Sequence, residues 1–257
     1  MELIAIKKVI EEVEKNRKVA LVTVVSASGT SPAKQGLSMA VTDDETTFGT
    51  IGGGGVEFEV TSQALQQLEK EETTTYCYKR EDVEVEVLIK IFNSREKLII
   101  VGAGHVAYEL YKIANLQKFY TVIFDEREDL TNRDRFRQAD EIHCGDIEKG
   151  LEEYDIDDKC FIVACGPTHY QDQIAIRKCI DRGAKYVGML GSRKKIATIK
   201  ENLLSEGVSA ESLDKIYAPI GINTGGDSVN EIAFGIFGEI LAIKNNCEIN
   251  HMKDMRK

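Results

Sequence analysis

No stretch of this 257-residue chain approaches the roughly 18 consecutive apolar residues that a membrane-spanning helix needs. The opening segment, MELIAIKKVIEEVEKNRK, is charged throughout and lacks a signal peptide's apolar centre and small-residue cleavage site, so a cytoplasmic location is expected. Six cysteines (Cys77, Cys144, Cys160, Cys165, Cys179, Cys247) form no C-x-x-C pair and are expected to be free thiols in a reducing compartment. Four scattered histidines show no H-E-x-x-H spacing, so no metal site is legible. Tryptophan is absent and proline numbers three, which excludes nothing. Cations are outnumbered: 33 Lys and Arg against 43 Asp and Glu leave a formal net charge of −10. That field repels polyphosphate backbones and excludes a general nucleic-acid binder. An anionic ligand has to be caught locally, by backbone amides or a few placed cations.

Hydrophobic residues make up 42% of the chain and charged residues 30%, enough to bury a proper core. Residues 1–18 read as an amphipathic helix, with Leu3, Ile6, Val9, Ile10 and Val13 at helical spacing. Residues 19–25 are a β-branched strand buried on both faces, and 26–36 (SASGTSPAKQG) a loop. Strands at 37–42 and 46–51 lead to four glycines, Gly52 to Gly55, and a helical pattern over 56–71. Two strands close this region. The second, 83–92, alternates Val83, Val85, Val87, Ile89 and Ile91 with Glu84, Glu86 and Lys90, the pattern of a sheet with one wet face.

After the polar break at Asn93-Ser94 the rhythm changes. Strands at 97–101, 120–124, 141–144, 160–165 and 186–190 alternate with helical stretches at 104–117, 171–182, 193–205 and 230–245. That alternation predicts a parallel sheet with helices on both faces. The fold class is therefore α/β: a Rossmann-like doubly wound domain over 95–257 behind a smaller mixed α+β domain over 1–94.

The strongest local signal is Val101-Gly102-Ala103-Gly104-His105-Val106-Ala107, a G-x-G-x-x-A fingerprint between an apolar strand and a helix. The glycines allow a tight turn and close phosphate approach, and helix-start amides bind the anion. Asp125, 23 residues after Gly102 at the end of the next strand, is placed to accept a ribose hydroxyl. His105, in the first helical turn, either touches the ligand or faces solvent. A bound dinucleotide such as NAD and a ligand-free Rossmann turn both remain open on these residues.

Three other loops bear on ligands. Gly29 to Gly36 supplies Thr30, Ser31 and Lys34. Gly49-Thr50-Ile51 and Gly52 to Gly55 lead into a helix carrying Glu57, and suit either close approach of a partner group or a flexible turn. Gly191-Ser192-Arg193-Lys194-Lys195 places a Ser cap and three cations in a first helical turn, against the macrodipole, which favours a bound anion. Cys165 and His169 have the spacing for a thiolate–imidazole pair, though a buried cysteine beside a loop histidine is the plainer reading. Ser228 with Glu231 matches a capping box.

Taken in order, Gly49 to Gly54 with Glu57, Val101 to Ala107, Asp125-Glu126-Arg127, Gly191 to Lys195, and Ala218-Pro219-Ile220-Gly221 through Glu231-Ile232-Ala233 resemble the xanthine dehydrogenase accessory family, XdhC/CoxI. The resemblance implies a maturation factor rather than an enzyme with catalytic residues of its own. Its ligand would be molybdenum cofactor, a phosphorylated molybdopterin, held at Gly52, Gly53, Gly54, Glu57, Gly102, Gly104, His105, Asp125, Ser192, Arg193 and Lys194. It also implies exchange of an oxo for a sulfido ligand with a cysteine desulfurase, transfer to a molybdenum hydroxylase of the xanthine dehydrogenase type, and a homodimer. Gly55 stands where some relatives place a Cys, so thiol ligation of molybdenum is not available there. An NAD-dependent oxidoreductase using His105 or His169 as acid/base is the alternative, and a bridging adaptor a third reading.

Overall fold

The computed structural model describes residues 2–254; Met1, where the expected first helix begins, and residues 255–257 lie outside them. The chain divides into two compact units, one ending at Ser94 and the other beginning at Arg95.

In the first unit, helix α1 (Glu2–Glu14) precedes strands β1 (Val19–Ser28), β2 (Ser38–Thr42) and β3 (Thr47–Gly49). Helix α2 (Gly54–Lys70) and the hairpin β4 (Thr74–Arg80) and β5 (Val83–Phe92) follow. The sheet is antiparallel in the order β3-β2-β1-β5-β4. Strand alternation sends Ala20, Val22 and Val24 of β1, with Val85, Val87 and Ile89 of β5, against Val56, Val60, Ala64 and Leu68 of α2. Val19 and Ala40 face the other way, onto Ala5 and Val9 of α1. Thus β1 begins buried on both faces, while Glu84, Leu88 and Lys90 of β5 lie on its exposed face. Several boundaries differ from the sequence reading, β3 being shorter than 46–51 and α2 beginning at Gly54 rather than 56. Helix α1 stops at Glu14, and Asn16 turns the chain at φ 56°. Strand β1 runs on to Ser28, because Ser26 to Ser28 keep pairing with Glu84 to Glu86 across a bulge.

The second unit has five parallel strands: β6 (Lys97–Val101), β7 (Tyr120–Asp125), β8 (Glu141–Cys144), β9 (Cys160–Ala164) and β10 (Tyr186–Met189), in the order β10-β9-β6-β7-β8. Between and after them run α3 (His105–Leu116), α4 (Ile147–Glu153), α5 (His169–Cys179), α6 (Arg193–Ser205), α7 (Ala210–Asp214) and α8 (Val229–Lys244). Leu98 and Ile100 of β6 pack with α3 and α8 residues, including Leu110, Ala114, Ile236 and Ile240. Ile99 and Val101 pack on the opposite side with α4, α5 and α6, including Leu151, Ala175 and Ile199. The fold is the doubly wound α/β sheet that the strand–helix alternation predicts. Strands β7 and β8 are joined without a helix, through an irregular segment whose Phe136 fills the space beside Tyr108 and Tyr111.

Because neighbouring β6 residues serve opposite layers, Ile99→Ala and Ile100→Ala each leave a separate cavity. Each is expected to cost about 2–5 kcal/mol, read as a lower urea midpoint for the second unit.

Candidate functional site

The order of the second sheet creates a switch point. Strands β6 and β9 are neighbours, but the helix after β6 covers one face and the helix after β9 the other. The loops leaving their carboxyl ends lead to helices on opposite faces, and the ends of such strands are the usual ligand position in sheets of this kind. Gly102 donates its N–H to Phe124 O at 2.7 Å, and Cys165 donates to Val101 O at 2.8 Å, so both loops are pinned to the sheet. Gly102 sits at φ 124°, and a Cβ there would lie 2.5 Å from Cys165 O. Only glycine fits between the two strand ends.

The helix start beyond it is open. Gly104 caps α3 with extended backbone and no side-chain hydrogen bond, and a Cβ on Gly104 would meet nothing within 4 Å. The first amides of α3 therefore face unfilled space with the positive end of the helix dipole behind them. His105 is exposed beside them. Two residues that the sequence reading passed over complete this region. Arg135, from the irregular β7–β8 segment, donates Nη2–H to Gly104 O at 3.2 Å and lies against the rings of Tyr108 and Phe136. Gln171, only 7% exposed, donates Nε2–H to Glu126 at 3.0 Å, while its Oε1 has no hydrogen-bond partner among the described residues. That oxygen lies 3.4 Å from where a Gly166 Cβ would stand, at the end of β9.

Asp125, expected to accept a ribose hydroxyl, is held here by donors of the chain itself. Its side chain is fully buried. Ala103 N–H donates to Oδ2 at 2.7 Å, and Arg127 donates its backbone N–H to Oδ1 at 3.0 Å, Nε–H to Oδ1 at 2.9 Å and Nη2–H to Oδ2 at 2.6 Å. Four donors occupy the carboxylate. It ties the fingerprint loop to the end of β7, and a ligand hydroxyl would have to displace Arg127 to reach it. Burial alone would raise its pKa, but the Arg127 guanidinium and the two amides prevail and hold it below the usual range.

At the end of β10, Ser192 caps α6, its Oγ accepting from Lys195 N–H at 3.2 Å. Lys195, expected among the anion-binding cations, instead forms an ion pair with the buried Asp172, which also accepts from Gly166 N–H at 2.7 Å. Burial pushes the Asp172 carboxyl up against these two partners. Arg193 and Lys194 stay exposed and free to meet an anion. Cys165 is buried, which pushes its thiol pKa up, and His169 is exposed on α5. The pair lacks the lowered thiol that nucleophilic chemistry needs. Thr168 is the N-cap of α5, accepting from Gln171 N–H.

In the first unit the glycine run is a held turn. Gly52, Gly53 and Gly54 have φ of 126°, 79° and 67°, conformations that side-chain-bearing residues rarely adopt. Glu57, expected to contact a ligand, binds the turn itself: Oε2 accepts from Thr50 Oγ1–H at 2.6 Å, Gly53 N–H at 3.0 Å and Ile51 N–H at 3.1 Å. A Cβ on Gly52 would strike Ala33 and Pro32, whereas Gly53 and Gly54 border open space. Ser228 and Glu231 form the capping box at α8. Among the described residues no group of three or more His, Cys, Asp or Glu could hold a metal ion, and no helix is long and apolar enough to cross a membrane.

These features define a doubly wound α/β protein with an uncapped helix start at its switch point. Family comparisons are more specific. The model of the XdhC Rossmann domain matches residues 98–240, and that of the XdhC and CoxI family matches residues 13–79. The chain belongs to the XdhC/CoxI family. Uncharacterized protein YqeB of Escherichia coli K12 is 29% identical over 245 residues, covering 91% of this chain and 45% of that protein. A Bacillus subtilis 168 protein described as a probable xanthine dehydrogenase subunit is 24% identical over 168 residues, covering 65% of this chain and 49% of that protein. The chain thus spans about half the length of these curated relatives. A crystal structure of a xanthine dehydrogenase from Bacillus halodurans covers 96% of this chain and 97% of its own, with a TM-score of 0.54. At 18% identity that likeness is one of fold.

Removing the Asp125 charge tests the tie. Asp125→Asn should cost about 2 kcal/mol at pH 7, since buried donors lose a charged partner. A carboxyl held below its ordinary pKa stabilises above the unfolded value near about 4 and loses that contribution as pH falls through the depressed one. Thermal melts from neutral to acidic pH should therefore show a shallower acid loss in Asp125→Asn than in the wild type.

Proposed function

We propose that this chain is an accessory factor that binds molybdenum cofactor and supports its maturation and transfer to a hydroxylase of the xanthine dehydrogenase type. The observation that carries the reading is the unfilled, uncapped start of α3 at Gly104, combined with an Asp125 that is closed to a ribose. A phosphate is received well by such a site, and a dinucleotide loses its customary acidic contact.

The residues present fit a phosphorylated heterocycle. The amides that open α3 would take the phosphate, with Arg135, Arg193 and Lys194 supplying local positive charge. The unpartnered Gln171 Oε1 would accept from a ring N–H, a group molybdopterin carries and a bare phosphate does not. When bound, the cofactor supplies a phosphorylated pterin and the molybdenum centre that a hydroxylase needs. Gly102 and Asp125 contribute by holding the loop in place, and His105 borders the entrance. Xanthine dehydrogenase as partner is supported by the Bacillus subtilis relative's name, and a cysteine desulfurase and self-association by the family resemblance.

Gly104 has φ −72° and ψ −170°, a conformation open to β-branched residues, so Gly104→Val should fold normally while filling the phosphate space. Protein made in a molybdenum-cofactor-competent host should release a fluorescent oxidised pterin in proportion to chain. Gly104→Val should release little, with stability within about 1 kcal/mol of the wild type. Bound NAD(H) in place of pterin, or full pterin retention by Gly104→Val, would overturn this reading.

A further inference from the structure

We propose that Glu126 and Gln171, joined across the end of β6, determine which heterocycle is accepted by reading its donor-bearing edge, a ring N–H beside an amino group. This recognition rests on the reading that a phosphorylated ring binds at the start of α3, and it adds which edge of that ring the chain distinguishes.

Strand β6 is flanked by β7 and β9. Glu126 directly follows β7, and Gln171 lies in the first turn of α5, after β9. Gln171 Nε2–H donates to Glu126 Oε2 at 3.0 Å, so the two side chains connect the strand ends on either side of β6. The fingerprint turn lies beside them. A Cβ on Gly102 would stand 2.5 Å from Cys165 O and 3.0 Å from Gly166 N, and Gln171 Oε1 lies 3.4 Å from where a Gly166 Cβ would stand.

Both side chains have acceptor capacity left. Glu126 is half-buried, and its Oε1 accepts no hydrogen bond among the described residues. Gln171 Oε1 is buried without a partner. An amide whose N–H rests on a carboxylate cannot turn over without setting its own oxygen against that carboxylate, so Gln171 has only an acceptor to offer. Arg127, next in the chain, does not neutralise Glu126, because its guanidinium is taken by Asp125.

A carboxylate repels a phosphate, which keeps the anionic end of the ligand away from this position. A buried acceptor without a donor is costly, and a ligand N–H removes that cost. The complementary group is a neutral edge with two adjacent donors, as in an amino-lactam ring. Entry of such an edge turns Gln171 Oε1 from beside Gly166 onto the ring N–H, while Nε2–H stays on Glu126 and the amino group donates to Glu126 Oε1. Nicotinamide has no ring N–H, and adenine sets its amino group beside ring acceptors, so neither offers this pair.

Fluorescence titrations of the full chain would compare 6-hydroxymethylpterin monophosphate with its lactam N-methyl form, which keeps the phosphate but lacks the ring N–H. The wild type should bind the first about tenfold more tightly, as one hydrogen bond to a buried acceptor is lost in the second. Glu126→Gln keeps the size of the side chain and an acceptor for Gln171, and should bring the two affinities to within about twofold. Gln171→Leu should do the same. Competition by inorganic phosphate should stay unchanged in both variants, since phosphate is taken at α3. Equal binding of the two probes by the wild type, or discrimination retained in Glu126→Gln and Gln171→Leu, would overturn the assignment and leave the phosphate reading standing. Phosphate competition lost together with discrimination would make the pair structural and overturn it as well. Binding of neither probe would overturn it along with the reading on which it rests.

Discussion

The second unit's site depends on one buried carboxylate. Asp125 draws the Ala103 amide and the Arg127 side chain onto a single point at the end of β7. A glycine-bounded loop has many conformations to lose, and amides aimed at a ligand are useful only if the loop is already ordered. A fully engaged acid supplies that order from within the chain. The helix start is then open without being slack, because the residues that fix the loop leave the space beside Gly104 unfilled.

The first unit repeats the arrangement with different parts. Glu57 collects the amides of Ile51 and Gly53 and the Thr50 hydroxyl, and the next helix begins without a side-chain cap. In both places an acid sits close to a helix N-terminus but takes its donors from elsewhere, Glu57 from the loop that leads in and Asp125 from Ala103 of that loop and from Arg127. It therefore does not compete for the amides beyond. Other helix starts are closed in the ordinary way, by Asp146 at α4, Thr168 at α5, Ser192 at α6, Ser209 at α7 and Ser228 at α8. Gly53 and Gly104 stand at starts of long helices where glycine takes the place of a capping side chain.

Much of the architecture was legible in the sequence because it rests on periodicity. The β5 alternation gave one buried and one wet face, and strand–helix alternation after Ser94 gave the parallel sheet. The site was legible only where backbone made it. Gly102 and Gly104 carry their reason in their spacing, but the role of Asp125 does not. An acid at the end of the second strand reads the same whether it meets a ribose or the chain, and the signal that separates the two is Arg127, two residues on, able to reach back to it. Lys195 was indistinguishable from Arg193 and Lys194 until packing brought Asp172 of α5 against it. Arg135 and Gln171 lie in an irregular segment and a first helical turn, where no motif marks them, and they come to the β6 and β9 ends only through tertiary structure.

A chain with a net charge of −10 that took up a phosphate, as proposed, would have to do so at short range. Its field gives an anion no long-range attraction, and at physiological ionic strength exposed charges are screened beyond about 8 Å in any case. Amides at a helix start act differently. Their partial charges are fixed, they need no counter-ion, and they lie where water is partly excluded, so their attraction is strong only once the ligand has arrived. Binding of that kind favours discrimination by shape and hydrogen bonding over capture by charge. It also suits a protein that has to let its ligand go, because withdrawal by about one Debye length removes most of the attraction, leaving an acidic surface that does not draw the anion back.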